Sequence, residues 1–307
     1  MTPFTADRSA QVGAWGEATL ISRIKTWLGA ATPPSPMGIG DDCAVLPRLK
    51  GHPLVTVDPV VYGVHFDDTV SPRWAGEKLF KRNLSDIAAM GGRPVAAVVA
   101  LGLESTVSAA WLRDFYLGLA AVSRRYRVPV VGGDVTTQPG FSASLTLIGE
   151  SSKRILTRTG AKIGDSLFVT GTLGRTLSTG HHYRFAPRLA EGAWLARQQD
   201  VRSLIDVSDG IAKDVHTLAP ANGAVHLDES ALPLRAGASV AEALTDGEDY
   251  ELLFSVAKKT SVAAFRQRWK RAFPQTRLTC IGSFAAPSGA GPGALGKLHG
   301  YEHLRQA

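Results

Sequence analysis

Apolar positions four residues apart open the readable part of the chain, where Leu20, Ile24 and Leu28 predict a helix over 16–28. The dozen residues before it have no such period and read as a loose arm. Thr-Pro-Pro-Ser-Pro at 32–36 ends the helical pattern. Apolar runs then predict strands at 54–58 and 60–66, a helix over 76–90 and a buried strand at 95–103. Trp111, Phe115, Leu119 and Val122 share one face of a helix predicted over 108–125. A short strand at 128–131 runs into Gly132-Gly133-Asp134, and 141–148 alternates as a half-buried strand does.

The pattern shifts at Ser151-Ser152-Lys153-Arg154, which predicts a joint between an N-terminal domain, 1–152, and a C-terminal domain, 153–307. Beyond it the period predicts strands at 166–170, 203–207, 250–256 and 277–281, with helices at 188–199, from 210, and at 259–272. The Gly-, Ala- and Pro-rich stretch 285–297 reads as a flexible loop. Two mixed halves without strict strand–helix alternation predict an α+β architecture. A length of 307 residues agrees, being long for a single core.

Composition narrows the class. A hydrophobic fraction of 44% and a charged fraction of 20% are ordinary for a globular enzyme. No apolar run of about 18 residues predicts a membrane span, and the N-terminus lacks the basic and apolar regions of a secretory signal. Cys43 and Cys280 stand far apart in no metal-like spacing, which suits a reduced, cytoplasmic chain. The net charge of +7 does not by itself imply nucleic acid. The densest basic clusters, Arg124-Arg125 with Arg127 and the stretch 268–271, fall in amphipathic helices and read as solvated faces. Neither a nucleic-acid nor a membrane partner is expected.

The carboxylates carry more information. GIGDD (38–42), LVTVD (54–58), NLSD (83–86), VVGGD (130–134) and IDVSDG (205–210) each set Asp at the end of an apolar stretch or against glycine. One such segment is explained by a turn or a helix cap. Five of them point instead to a shared acidic site neutralised by Mg²⁺, a hard cation that takes one or two carboxylates together with substrate phosphates. GPGALGKL (291–298) has the glycine and lysine spacing of a Walker loop but ends in Leu298, where a hydroxyl is required. Gly132-Gly133 offers backbone N–H groups to phosphate in its place.

Read in order, GIGDDCAVL, GVHF (63–66), NLSDIAAMGG (83–92), GGDVT (132–136), LTRTGAKIGD (156–165), DVSDG (206–210) and GEDYEL (247–252) resemble the thiamine-monophosphate kinases, relatives of aminoimidazole ribonucleotide synthetase. The resemblance implies two α+β domains of that type, with an N-terminal domain that binds ATP and Mg²⁺ and pairs two copies into a homodimer. It implies ATP-dependent phosphorylation of thiamine monophosphate to the diphosphate. It also implies that Asp42, Thr56, Asp58, Asp86, Asp134, Asp206 and Asp209 hold several Mg²⁺ ions, and that Gly133, Asp134, Arg158 and Ser208 contact ATP. His65, Glu248 and Tyr301 are implied contacts of thiamine monophosphate; Asp86, Asp134 and Arg158 are the implied catalytic groups. Outside its GVHF setting, His65 beside Phe66 would read as a satisfied core residue.

The chain departs from the family pattern in places. Val57 replaces the hydroxyl residue usual before Asp58, and strand alternation turns it away from Asp58, toward an expected position in the core. Lys81-Arg82 stand where small apolar residues are usual, and Asp246 replaces a common glycine. The acceptor phosphate is already anionic, so the implied transfer needs no protein base and rests on positioning and charge neutralisation.

Overall fold

In the computed structural model, which describes residues 1–151, 154–287 and 300–301, the chain divides into two units. One comprises Met1–Ile87 with Arg93–Glu150, the other Ala88–Gly92 with the residues from Ser151 onward. Both are α+β.

The first unit runs α1 (Glu17–Leu28), β1 (Pro53–Val61), α2 (Pro72–Ala89), β2 (Gly92–Leu103), α3 (Ala109–Tyr126), β3 (Val130–Thr137) and β4 (Phe141–Ser151). The period-four residues Leu20, Ile24 and Leu28 are the buried face of α1. Ser108 caps α3 by accepting the Trp111 N–H. Phe141 of β4 meets the ring of Trp111 at 4.8 Å and that of Phe115 at 5.4 Å, edge to face. The strands form one mixed sheet in the order β1-β4-β2-β3, with β1–β4 antiparallel and β2–β3 parallel.

Two strand expectations change here. The strands expected at 54–58 and 60–66 are one strand, β1, that continues through Pro59 and ends at Val61. β1 is an outer strand paired only with β4, a position in which a sheet tolerates proline. On its two faces Thr56 and Asp58 are half-buried, whereas Val55 and Val57 are 68% and 59% exposed. Val57 therefore faces away from Asp58, as alternation requires, but toward solvent rather than the expected core. The second change is that β3 extends to Thr137, so Gly132, Gly133 and Asp134 lie inside a strand and not beyond its end at 131.

The second unit contains β5 (Ser166–Thr170), α4 (His181–Arg184), α5 (Leu189–Leu195), β6 (Val201–Asp206), α6 (Ile211–Leu218), β7 (Ala224–Leu227), α7 (Val240–Thr245), β8 (Leu252–Val256), α8 (Val262–Ala272) and β9 (Leu278–Ala285). Its sheet has the order β6-β8-β5-β9-β7, with the β6–β8, β8–β5, β5–β9 and β9–β7 pairs all antiparallel. Strand alternation sends Phe168, Leu204 and Phe254 against Phe265 and Trp269 of α8. It sends Leu167, Val169, Ile205 and Leu253 to the other face, against Ile211 and Val215 of α6. The short elements α4, β7 and α7 leave too few periods to read from sequence, and the helix expected at 188–199 shortens to α5. The Walker-like GPGALGKL and most of the loop expected at 285–297 lie outside the described residues. Among the described residues no helix is long and apolar enough to cross a membrane.

Candidate active site

The register of α2 against β1 builds the first cluster. Arg82, Asn83 and Asp86 fall on the helix face turned to the strand. Fully buried Asn83 accepts the Asp58 N–H at 2.9 Å through Oδ1 and donates to the Leu79 carbonyl at 2.9 Å. Thr56 Oγ1 donates to Asp86 Oδ2 at 2.5 Å. Arg82 Nη1 donates to the Pro59 carbonyl at 2.7 Å, and its Nε lies 3.5 Å from Asp58 Oδ2. Lys81 points elsewhere, to Glu77 Oε2 at 2.7 Å with the Trp74 ring 5.0 Å away. Burial lowers the Lys81 ammonium from its ordinary range, against the opposing pull of Glu77. Arg82 thus sets its charge beside a predicted site residue, Asp58.

His65 sits in the turn after β1. Its Nδ1 accepts the Val61 N–H at 3.1 Å, so the neutral ring carries its proton on Nε2. The His65 carbonyl accepts from buried Lys78 Nζ at 2.6 Å, which ties the turn to α2.

Asp42 and Asp134 share a second feature, a cavity of about 450 Å³. Ile21, Ile24, Val99, Tyr116 and Val130 give it an apolar wall; Asp41, Asp42, Gly132, Gly133 and Asp134 give it a polar one. Gly133 is required by the parallel pairing of β3 on β2, since a Cβ there would meet the Val99 carbonyl oxygen at 2.1 Å. Asp58 and Asp134 stand on opposite outer strands of the sheet. Three strand spacings separate them, roughly 14 Å in a flat sheet.

In the second unit, Asp206 ends β6 and is buried, while Ser208 and Asp209 follow in a half-buried turn. Asp214 of α6 accepts the N–H groups of both Ser208 and Asp209 at 3.0 Å. Burial pushes the Asp214 carboxyl up to about 7, aided by the charges of Asp206 and Asp209 and opposed by those two N–H groups. Lys213 Nζ reaches Asp209 Oδ2 at 2.6 Å and the Tyr301 carbonyl at 2.9 Å. The Tyr301 N–H donates to the Asp209 carbonyl at 2.9 Å, which leaves its side chain 48% exposed beside that turn.

The loop that carries Glu248 is joined to the same turn by backbone bonds. Glu248 N–H donates to Ser208 O at 2.7 Å, Tyr250 N–H to Val207 O at 2.8 Å, and Val207 N–H to Glu251 O at 2.8 Å. Glu248 and Tyr250 adopt φ of 52° and 51° to make these bonds. The Glu248 carboxylate receives the Tyr250 hydroxyl at 3.3 Å and lies 3.5 Å from His182 Nδ1. Beneath it, Glu251 takes a two-pronged contact from Arg188 at 2.7 and 2.6 Å plus the Thr170 hydroxyl at 2.6 Å. Asp246, the departure from glycine, accepts the Arg175 N–H at 2.6 Å and so helps fix the loop. Arg158 is exposed in this unit, beside Thr157, whose carbonyl accepts the Leu204 N–H at 2.9 Å.

The structure thus brings together Thr56, Asp58 and Asp86; Asp42, Gly133 and Asp134; and Asp206, Ser208, Asp209, Glu248 and Tyr301. Among the described residues no three His, Cys, Asp or Glu side chains are grouped closely enough to cage a metal. The donors are all hard oxygens in sets too small for an all-protein cage. That fits Mg²⁺, which binds through one or two carboxylates and completes its shell with phosphate and water.

Residues 40–151 match the model of the family described as AIR synthase related protein, N-terminal domain. A thiamine-monophosphate kinase of Rhodopirellula baltica is 35% identical over 265 residues, 79% of this chain and 82% of that one. The chain belongs to the thiamine-monophosphate kinase family. It is therefore an enzyme of the phosphotransferase class. A crystal structure of the thiamine-monophosphate kinase from Stenotrophomonas maltophilia superposes with a TM-score of 0.73 at 31% identity, covering 89% of this chain and 95% of that one. A further kinase of the family, AaThiL complexed with AMPPCP and TMP, superposes with a TM-score of 0.67 at 29% identity, covering 89% and 92%.

Three residues at these clusters escape a reading of motifs. Asp214 is a helix residue whose only signal is its place one turn beyond Gly210. Tyr116 shares the amphipathic pattern of α3 and reads as core, which it also is. His182 lies in a helix of four residues, too short to announce itself.

Proposed function

We propose that this kinase transfers the γ-phosphoryl group of ATP to thiamine monophosphate, giving thiamine diphosphate and ADP. The observation that carries the reading is the cavity of the first unit, where an apolar wall with Tyr116 adjoins Gly132-Gly133 and the three carboxylates Asp41, Asp42 and Asp134. Such a wall suits a nucleotide base, and a strand of glycines lets phosphates approach backbone N–H groups. AaThiL has been solved with AMPPCP and TMP, which supports the same pair of ligand types here.

The acceptor is bound in this reading by His65, whose Nε2–H is a donor, by Glu248, whose carboxylate suits the amino group and positive charge of thiamine, and by the exposed ring of Tyr301. An acceptor phosphate oxygen attacks the γ-phosphorus, the bond from that phosphorus to the β–γ bridging oxygen breaks, and ADP leaves with the electron pair. Asp86 and Asp134 serve catalysis by fixing the charge balance around the phosphates, and Arg158 supplies a permanently charged fork to them. Gly133 and Ser208 contact ATP. Thr56, Asp58 and Asp86, Asp42 and Asp134, and Asp206 and Asp209 would hold Mg²⁺, which when bound neutralises phosphate charge during in-line transfer.

In the same reading the first unit is the ATP-binding and pairing domain. Its sheet exposes Val55 and Val57 on one face, which supports burial of that face in a homodimer. The two free cysteines suit a cytoplasmic setting. ATP labelled in the γ-phosphoryl group tests direct transfer: the label should appear in thiamine diphosphate. Label found only in inorganic phosphate would reject the reading.

A further inference from the structure

We propose that Arg82 is a resident counter-cation of Asp58 that competes with a divalent ion for that carboxylate. The proposal rests on the reading of Asp58 as a Mg²⁺ ligand and specifies how this chain differs there. Directly before NLSD this chain has Lys81-Arg82. Lys81 Nζ pairs with Glu77 Oε2 at 2.7 Å, and Arg82 Nε comes to 3.5 Å from Asp58 Oδ2.

The contact is fixed from both sides. On the helix, Asn83 beside Arg82 accepts the Asp58 N–H at 2.9 Å, so α2 cannot shift without releasing the strand. On the strand, the Pro59 carbonyl accepts from Arg82 Nη1 at 2.7 Å. The Arg82 side chain is 11% exposed and that of Asp58 29%, so water screens the pair only in part. A guanidinium cannot give up its proton, so its charge is present whatever the ligand state.

Two consequences follow for the site. Where no cation is bound, Arg82 balances the charge of Asp58. A divalent ion held by Asp58 would meet the same fixed positive charge, and at a separation of about 5 Å that repulsion would weaken its binding by about tenfold even at a water-like dielectric constant. Arg82 thus favours a stable metal-free site and raises the Mg²⁺ concentration needed to fill it. Were Arg82 merely an anchor for the Pro59 carbonyl, its loss would lower stability equally with and without Mg²⁺.

The test is a set of thermal melts of the whole chain, stripped with EDTA and titrated with Mg²⁺ in the absence of nucleotide. It compares the wild type with Arg82→Met, which removes the charge, and Arg82→Lys, which retains it. Ligand binding to the folded state reads out directly as a rise in melting temperature. Arg82→Met should melt below the wild type without metal, gain more from Mg²⁺, and reach half of that gain at about tenfold less Mg²⁺. Arg82→Lys should follow the wild type. Equal Mg²⁺ midpoints in Arg82→Met and wild type would overturn the proposal and leave the metal reading standing. A wild type that does not respond to Mg²⁺ at all would overturn the metal reading and the proposal with it. Should Arg82→Met fail to fold, Arg82→Gln, which keeps a donor for the Pro59 carbonyl, carries the same comparison.

Discussion

The main-chain N–H of Glu248 donates to the carbonyl of Ser208 at 2.7 Å. That bond couples a residue read as an acceptor contact to a turn read as binding nucleotide and metal. Glu248→Gln keeps the backbone bond and removes the charge. KM for thiamine monophosphate should rise at least about tenfold with KM for ATP little changed, a loss of about 1.4 kcal/mol in acceptor recognition. Steady-state kinetics with each substrate varied in turn checks this, and an equal rise in both KM values would contradict it.

Gly247, one residue earlier, tests the coupling itself. Its φ is +68°, and a Cβ would come to 2.7 Å from the Ser208 carbonyl oxygen. Gly247→Ala should therefore cost about 1–3 kcal/mol of stability and impair both substrates together, because the two loops move as one. A thermal melt with a kinetic profile checks it; an intact melting temperature would show that the loop yields locally.

Asp86 and Asp134 are read as metal-binding rather than structural. Changing either to Asn keeps size and, at Asp86, an oxygen for the Thr56 hydroxyl. Activity should fall at least about a hundredfold, roughly 2.7 kcal/mol of transition-state stabilisation. The melting temperature without metal should hold or rise, since a repelling carboxylate is gone. Activity that falls only in proportion to the folded fraction would assign both residues to the scaffold.

Much of this was legible in the sequence, and the exceptions have physical causes. The amphipathic periods of α1 and α3 predict their buried faces because helix burial follows a 3.6-residue repeat over several turns. Pro59 reads as a strand boundary because sequence does not show that β1 is an outer strand, where proline is tolerated. Gly132-Gly133 reads as lying beyond the strand end at 131, whereas parallel packing against Val99 is what requires a glycine at 133. Alternation correctly set Val57 opposite Asp58, but whether that face is core or solvent is a tertiary fact. Arg82 signalled only a departure; its partner Asp58 lies 24 positions earlier and meets it only through the register of α2 on β1.

Val57→Thr follows from that correction. With the side chain 59% exposed, a hydroxyl there needs no buried partner. Within a single chain the change should alter stability by less than about 0.5 kcal/mol; in the proposed homodimer, which would bury this face, it should weaken pairing, and in both it should leave the Mg²⁺ dependence of activity unchanged. A lowered Mg²⁺ requirement would show that this face reaches the metals.

His181 gives a pH dependence of stability. Its Nε2 lies 3.0 Å from the Asp249 carbonyl, and burial holds the imidazole below its ordinary value of 6.5, opposed by that carbonyl and aided by Arg235. The folded chain then binds fewer protons than the unfolded chain just below pH 6.5, so stability is present above that pH and is lost as pH falls through the lowered value. His181→Gln should flatten this part of the stability curve, as measured by urea unfolding between pH 5 and about 7. An unchanged slope would place the acid sensitivity elsewhere.

The central claim is the identity of the acceptor, and ADP release coupled to a spectrophotometric readout tests it most directly. With ATP and Mg²⁺ held constant, thiamine monophosphate should support turnover, and thiamine, which lacks the attacking phosphate oxygen, should be a poor acceptor. EDTA should abolish the signal. Equal turnover with thiamine, or none with thiamine monophosphate, would contradict the account.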